Sequence, residues 1–195
     1  HTVLIKEDNT VWSVGYNGYG QLGLGTTSQT TKIQQVKEQI TKEGEEAQTK
    51  NITDAKHVTA AGDTTYITRQ KDENGKSQGM YATGYNNYGM LFTQDVTART
   101  YATPAETDKD ILTATITKNY EYQTGAIVDQ DGMVYTVGYN ANGEMGNGTV
   151  QNLITPWCIS KKKINVTKNI INFEKAGEKE TIGYNMSMAF NLLIR

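Results

Sequence analysis

Short apolar stretches with the two-residue alternation of a β-strand recur along this chain, and each ends in a glycine. Three copies are present, at 11–15, 80–84 and 134–138. A second apolar run precedes each copy. Between the two runs lie Asp-Asn, Asn-Gly or Asp-Gly, dipeptides that tolerate the positive φ angles of a tight hairpin. The pattern therefore predicts three hairpins, each followed by a loop that begins at glycine.

Each of these loops begins Gly-Tyr-Asn and has a further glycine five residues after the first. The recurring positions are Gly15, Asn17, Gly20 and Gly23, then Gly84, Asn86 and Gly89, then Gly138, Asn140, Gly143 and Gly146. We call the first glycine of each loop, Gly15, Gly84 or Gly138, the anchor glycine. The anchor glycines lie 69 and 54 residues apart (84 − 15 and 138 − 84), a spacing typical of propeller blades and solenoid units. We expect the glycines to have positive φ or close contacts, and the asparagines to bond to their own loops. One unit cannot bury its apolar face alone, so the copies should pack on one another.

The first copy, from His1-Thr2 to Gly20-Gln21-Leu22-Gly23, resembles the repeat of the regulator of chromosome condensation family. The third copy keeps most of that pattern, whereas the second has Met90-Leu91-Phe92 in place of its last three residues. The resemblance implies an all-β fold, with about three consecutive four-stranded blades of an incomplete β-propeller over residues 1–160. Propellers of this family have about seven blades, so it also implies that the rest of a longer chain supplies the remaining blades.

Two regions depart from the repeat. Residues 36–56 are charged and contain no aromatic residue, which predicts a solvated insertion on a loop, with a helical turn, or alternatively an arm that binds a partner. We expect the part from Lys37 to Lys50 to be dispensable for folding. From residue 161 the glycine pattern ends. The tail 161–195 resembles the connector or first strands that precede β-sandwich modules in large bacterial surface proteins.

Composition excludes several classes of partner. The 195-residue chain has a net charge of −2 and a pI near 5.7, so no basic surface predicts contact with nucleic acid. Its one cysteine, Cys158, allows no intrachain disulfide and no metal site built from several cysteines. No apolar run approaches the roughly 20 residues of a membrane span, and no signal peptide is visible.

The chemical motifs do not predict catalysis, a cofactor or a metal. Residues 18–23 match Gly-x-Gly-x-x-Gly, but no apolar helix follows, as a dinucleotide fingerprint requires. Asp129 and Asp131 could suggest calcium, but Asp-x-Asp-Gly at a hairpin tip is first of all a turn. With a single cysteine and no serine elbow, a nucleophile with a base such as His1 or His57 cannot be assembled from the local sequence.

The recurring tyrosines are the candidate binding residues. They are Tyr16, Tyr85 and Tyr139 directly after the anchor glycine, and Tyr19 and Tyr88 two residues after the asparagine. Either they pack against the next blade, or they form one rim, partly exposed, that binds a protein or a glycan.

These features favour a noncatalytic recognition or scaffold module of a larger bacterial protein that is secreted or attached to the cell surface. A cytoplasmic location is the alternative. The resemblance also implies a second function, regulation of an enzyme, because related propellers inhibit β-lactamases or catalyse nucleotide exchange on a small GTPase. A third alternative is an enzyme domain fused outside this sequence.

Overall fold

The computed structural model describes residues 1–40, 44, 46–107, 109–117 and 122–159, together with the backbone of 164–167 and 170–173. All regular elements of these residues are β-strands. In chain order the strands are β1 (Thr2–Ile5), β2 (Val11–Gly15), β3 (Thr30–Gln35), β4 (Lys37–Ile40), β5 (Gln48–Asn51), β6 (Ala55–Ala61), β7 (Thr64–Arg69), β8 (Met80–Gly84), β9 (Arg99–Pro104), β10 (Ile111–Ile116), β11 (Thr124–Asp129), β12 (Val134–Gly138), β13 (Leu153–Cys158), β14 (Ile164–Thr167) and β15 (Ile170–Phe173).

Three antiparallel sheets follow one another along the chain. The first has the order β1-β2-β3, the second contains β6-β7-β8-β9, and the third is β10-β11-β12-β13. Strands that are consecutive in sequence are neighbours in each sheet, which is the meander of a propeller blade. The predicted all-β fold of consecutive blades is thus confirmed, with four strands in the second and third blades and three described strands in the first.

The three blades share one register. The anchor glycines are the last residues of β2, β8 and β12. Each pairs with the first residue of the next strand, which is the outermost strand of its blade: Gly15 with Thr30, Gly84 with Arg99 and Gly138 with Leu153. A bulge lies directly beside each of these pairs. The loops between the paired residues therefore emerge at one end of the blades, and the hairpin tips lie at the other.

Apolar side chains fill the spaces between neighbouring blades. One cluster joins the first and second sheets and includes Val11, Ile67 and Tyr81. A larger cluster joins the second and third sheets and includes Tyr66, Phe92, Ile127 and Val137. The central strands β7, β8 and β11 are buried on both faces, as expected for units that bury their apolar surface only against neighbours.

The prediction that residues 36–56 form a solvated loop is wrong. Strands β4 and β5 form an antiparallel hairpin, and β4 extends the second sheet through a parallel bridge between Glu38 and Ala102. Val36 and Ile52, which flank the hairpin, are fully buried in the cluster between the first two blades. Lys37 and Lys50 of the hairpin are exposed, whereas Glu38 is partly buried and accepts a hydrogen bond from the Tyr81 hydroxyl at 2.9 Å. The polar composition therefore indicated exposure for most of the hairpin but did not distinguish a strand from a loop.

The tail is described only by its backbone. Strands β14 and β15 pair with each other as an antiparallel hairpin. The remaining tail residues lie outside the described part of the chain, so the division at residue 160 and the resemblance to a connector stay predictions. The described residues contain no helix that is long and apolar enough to cross a membrane.

Candidate functional site: a rim of tyrosines

The loops that follow the anchor glycines form one rim of the blades, at 16–29, 85–98 and 139–152. Gly15, Gly84 and Gly138 have φ values of 112°, 109° and 113°, which L-residues rarely adopt. A Cβ on Gly84 would lie 2.2 Å from the Asp63 carbonyl oxygen, and one on Gly138 would lie 2.6 Å from that of Gln123. Conformation and close contact together explain why glycine recurs here.

Each loop is held by its buried asparagine. The Oδ1 atoms of Asn17, Asn86 and Asn140 accept a hydrogen bond from the backbone N–H five residues later, at 2.9, 2.9 and 2.8 Å. Each Nδ2 donates to backbone carbonyls nine and eleven residues later, at distances between 2.8 and 3.1 Å. One fully buried amide thus closes each loop, in agreement with the predicted bonding of asparagine to its own loop backbone.

A second glycine lets each of the first two loops dock on the following blade. A Cβ on Gly20 would lie 2.7 Å from backbone atoms of Arg99 and Thr100, and one on Gly89 would lie within 2.9 Å of Ile154. The Gly25 N–H also donates to the Thr100 carbonyl oxygen at 2.8 Å. These contacts fix the loops of one blade against the outermost strand of the next, so the rim residues are positioned by two blades.

The tyrosines form a ladder across the blades. The ring of Tyr19 packs edge-to-face against Tyr85 of the next blade, with 5.1 Å between centroids, and Tyr88 makes the same contact with Tyr139 at 5.2 Å. The second tyrosine of one repeat therefore packs on the first tyrosine of the following repeat. The predicted inter-blade packing occurs, and it leaves part of most rings accessible.

The exposure of the five tyrosines is not uniform. Tyr16 and Tyr19 are 52% and 41% exposed, and Tyr88 and Tyr139 are half-buried. Tyr85 is only 7% exposed and belongs to the core cluster between the second and third blades. The expectation of partial exposure was therefore wrong for Tyr85, because its ring packs both in this core cluster and against Tyr19.

A sixth tyrosine, which sequence reasoning missed, joins this surface. Tyr122 precedes β11 and is 44% exposed; its ring centroid lies 4.7 Å from that of Tyr139 and 6.2 Å from that of Tyr88. It belongs to the connection between β10 and β11, which carries no repeat signature. Only the position of Tyr122 beside the loop of the same blade reveals the contact. We call the six residues the tyrosine rim: Tyr16, Tyr19, Tyr85, Tyr88, Tyr122 and Tyr139.

Charge is sparse on the three loops that follow the anchor glycines. The three loops contain no lysine and no arginine, and their acidic residues are Asp95 and Glu144. Partial burial raises the pKa of Asp95, but hydrogen bonds from the Thr97 N–H and from Arg99 outweigh it and hold the pKa below its ordinary value. The hairpin tips at the opposite end are strongly charged, with Lys71, Asp72 and Glu73 at the longest of them. The two ends of the blades therefore differ in chemistry.

One further carboxylate, Asp63, lies beneath the rim. It is buried and accepts a hydrogen bond from Gln21 Nε2 at 2.8 Å, which ties the first blade to the second. Burial raises the pKa of Asp63, against the opposing effect of the hydrogen bond from Gln21. Desolvation and the nearby Glu144 carboxylate also raise the pKa of Tyr139, so its hydroxyl stays protonated at neutral pH.

The described residues do not assemble a cluster of metal ligands. They contain no group of three or more His, Cys, Asp or Glu side chains that could hold a metal ion. Asp129 Oδ1 accepts from the Met133 N–H at 2.9 Å and so closes the hairpin turn. His1 Nε2 lies 2.8 Å from Thr65 Oγ1, an inter-blade contact, and residues 18–23 form a loop between strands rather than the start of a helix.

Fold and rim together define the chain as consecutive blades of a β-propeller. Residues 8–43 match the family model of the regulator of chromosome condensation (RCC1) repeat. The matched segment is therefore a repeat of the RCC1 type, which confirms the resemblance of the first copy.

Solved structures show the same fold. Human WBSCR16 is 15% identical with a TM-score of 0.60, over 84% of this chain and 39% of that chain. Prp20p from Saccharomyces cerevisiae, described with its binding properties to Gsp1p and histones, is 16% identical with a TM-score of 0.58, over 82% and 36%. Yeast RCC1 (Prp20) bound to Kap60 is 15% identical with a TM-score of 0.59, over 84% and 36%. This chain thus spans less than two fifths of the length of these proteins.

Proposed function

We propose that this chain is a noncatalytic recognition module that binds a protein partner through the tyrosine rim. The single observation that carries the proposal is the exposure of Tyr16, Tyr19 and Tyr122 on one end of the blades, where three neighbouring loops supply no lysine or arginine. Tyrosine has a large, rigid contact area and a polar hydroxyl, which makes it common at binding hot spots.

Two valines extend this surface. Val96 and Val150 each lie twelve residues after their anchor glycine, and both are exposed. Apolar side chains held on loops that are themselves braced by buried asparagines suit recognition, because a rigid surface loses little conformational entropy on binding. Gsp1p, histones and Kap60, which are described as binding to the structural neighbours, are proteins, and this favours a protein over a glycan.

The proposal extends to the protein that carries these blades. We place the module in a larger bacterial protein that is secreted or attached to the cell surface, because of its polar, asparagine-rich and threonine-rich composition and the resemblance of its tail. Fractionation of the source cells, with detection of the endogenous protein, tests this part separately. Recovery in the cytoplasm would contradict it without affecting the proposed role of the rim.

Site-specific photo-cross-linking tests the role of the rim. A photoreactive phenylalanine at position 16 or 122 in the natural protein should cross-link a protein partner in the source cells, whereas the same group in place of Glu73, on the opposite hairpin tip, should not. The identified partner should then lose at least about tenfold in affinity for the Tyr16→Ser/Tyr122→Ser variant, as expected for hot-spot tyrosines. Equal cross-linking from both ends would contradict a rim-specific interface.

Regulation of an enzyme is the second candidate function. The described binding of Prp20p to Gsp1p favours it, because this chain shares the fold of that protein. The two candidates differ in what the partner does after binding. If the cross-linked partner is an enzyme whose turnover changes when the chain is added, the module is a regulator; if turnover is unchanged, it is a recognition module.

A further inference from the structure

We propose that Tyr88, Tyr122, Tyr139 and Glu144 form a receptor for a cationic side chain, so that the protein bound at the tyrosine rim presents an arginine or a lysine there. This inference rests on the proposed function and assigns the chemistry of its partner. It depends on three features: the spacing of the three rings, the hydrogen-bond partners of the Glu144 carboxylate, and the cation–π contacts of other aromatic rings in the chain.

The three rings meet at one point of the rim. Their centroids are 4.7 Å apart for Tyr122 and Tyr139, 5.2 Å for Tyr88 and Tyr139, and 6.2 Å for Tyr88 and Tyr122. They come from the loops of two blades and from the connection before β11. Each ring carries negative potential on its face, and the parts of these faces that the mutual packing leaves exposed attract a cation.

Glu144 adds a formal negative charge beside Tyr139. Its carboxylate accepts hydrogen bonds from the backbone N–H and from Nδ2 of Asn142, both at 2.9 Å, which hold it on the loop. Several acidic side chains of the described residues form ion pairs, among them Arg69–Asp54, Lys71–Asp110 and Arg99–Asp95, and Glu144 belongs to none of these three. Its charge is therefore balanced by neutral donors, and a partner's cation would complement it.

Three aromatic rings outside the tyrosine rim are each contacted by a lysine or an arginine of the same chain. Lys6 Nζ lies 4.0 Å from the ring centroid of Trp12, Arg69 Cζ lies 4.3 Å from that of Tyr81, and Lys109 Nζ lies 5.5 Å from that of Tyr135. Among the described residues no such contact is made to Tyr88, Tyr122 or Tyr139. The loops at 16–29, 85–98 and 139–152 contain no lysine or arginine; the connection that carries Tyr122 contains Lys118, which lies outside the described residues.

Other ligand chemistries fit this cluster less well. An anionic segment would meet the carboxylate of Glu144 and the negative faces of the rings together. A sugar binds by stacking on a flat ring face, but the rings of Tyr88 and Tyr139 stand at 74° to each other and present no continuous face. A guanidinium or ammonium group satisfies both the rings and the carboxylate.

Short peptides that differ only in charge test the proposal. We would titrate the chain, carrying ¹³C-labelled tyrosine rings, with acetyl-Gly-Arg-Gly-amide and with acetyl-Gly-citrulline-Gly-amide, in which the guanidinium is replaced by a neutral group of the same shape. The arginine peptide should shift the ring resonances of Tyr88, Tyr122 and Tyr139 and bind at least about fivefold more tightly, since cation–π and carboxylate contacts act together. Added salt should weaken the arginine peptide and leave the citrulline peptide unchanged.

Variants distinguish the site from a general attraction. Glu144→Gln and Tyr139→Leu should each weaken the arginine peptide by about three- to tenfold, whereas Glu73→Gln, at the opposite end, should leave it unchanged. Backbone NMR spectra verify that each variant keeps its fold. The proposal is overturned if arginine and citrulline bind equally, if neither binds, or if the shifts map away from these rings.

The two proposals fail in different ways. If the natural partner cross-links to the rim but arginine and citrulline peptides bind equally, the recognition function stands and the cationic receptor is wrong. If the arginine peptide binds selectively but no protein cross-links to positions 16 or 122, the receptor stands and the proposed interface is wrong.

Discussion

Tyr19 packs edge-to-face against Tyr85 of the following blade, and Tyr88 repeats this contact on Tyr139, with centroid separations of 5.1 and 5.2 Å. The third repeat has Asn142 where a further tyrosine would continue the series, four residues after its anchor glycine. One residue type thus has two roles. Its covered members hold blades together, and its exposed members are available to a partner.

The first prediction separates these two roles. Tyr85→Ala should lower the free energy of unfolding by about 3 kcal/mol, because it removes a buried ring and the support of Tyr19. Tyr16→Ala, at a half-exposed ring of the same repeat position, should change stability by less than about 1 kcal/mol. Urea unfolding of both variants measures the difference, and equal losses would show that exposure does not govern the contribution of the rim.

A second prediction concerns the anchor glycines. Gly138→Ala and Gly143→Ala both place a side chain at positive φ, at +113° and +82°. A Cβ at Gly138 would also approach the Gln123 carbonyl oxygen, whereas no described atom lies within 4 Å at Gly143. Gly143→Ala should lower the free energy of unfolding by about 1–2 kcal/mol because of its positive φ alone. Gly138→Ala should lower it by at least ~1 kcal/mol more because of the added close contact. Matched urea unfolding curves test this ranking, which an equal or reversed order would refute.

The buried asparagines provide a third prediction. Asn86→Asp removes the N–H donors that bond to the carbonyl oxygens of Asp95 and Thr97, and it places a second carboxylate beside Asp95. The substitution should destabilise the chain by about 3 kcal/mol or more. Asn87→Asp, at the exposed neighbouring position, should fall within about 0.5 kcal/mol of the unsubstituted chain. Thermal unfolding of the two variants tests this difference. Equal melting temperatures would contradict the role of the buried asparagine in holding the loop.

Phe92 is the subject of a fourth prediction. It is fully buried against Tyr66, yet it has a φ of 60° at the position that Gly23 and Gly146 hold in the other repeats. Burial of the ring offsets the cost of the left-handed backbone. Phe92→Ala should therefore lose stability without relieving strain, and Phe92→Gly should be at least as stable as Phe92→Ala. In an ordinary strand glycine is the worse residue, so a less stable Phe92→Gly would show that the strain is absent.

The fifth prediction concerns pH. The pKa of Asp63 is raised in the folded chain, so its contribution to stability is fully present below the unfolded pKa of about 3.9 and is lost as pH rises through the folded pKa. Asp63→Asn keeps an acceptor for Gln21 and removes this titration. Relative to the unsubstituted chain, Asp63→Asn should gain stability between pH 3.5 and pH 7. The exposed substitution Glu73→Gln should show no such gain, and a flat difference for Asp63→Asn would refute the assignment.

Much of the loop structure could be predicted because it is local. The asparagine bonds reach five, nine and eleven residues along the chain, and the positive φ of each anchor glycine belongs to one residue. Such features repeat wherever the sequence repeats. The degenerate second loop shows where prediction from local sequence fails. Phe92 and Gln94 have positive φ, as the glycines at the same positions of the other repeats do. There the packing of neighbouring blades maintains a conformation that the local sequence disfavours.

The sequence by itself determined that the chain is all-β, that it consists of repeated blades, and which glycines and asparagines shape the loops. Tertiary structure decided that 37–40 and 48–51 are strands of the second sheet rather than a solvated loop, that Tyr85 is covered, and that Tyr122 joins Tyr88 and Tyr139. The physical reason is the range of the interactions. Backbone conformation is set over a few residues, whereas burial of Tyr85 depends on Tyr19 of another blade, and such contacts exist only once the blades pack.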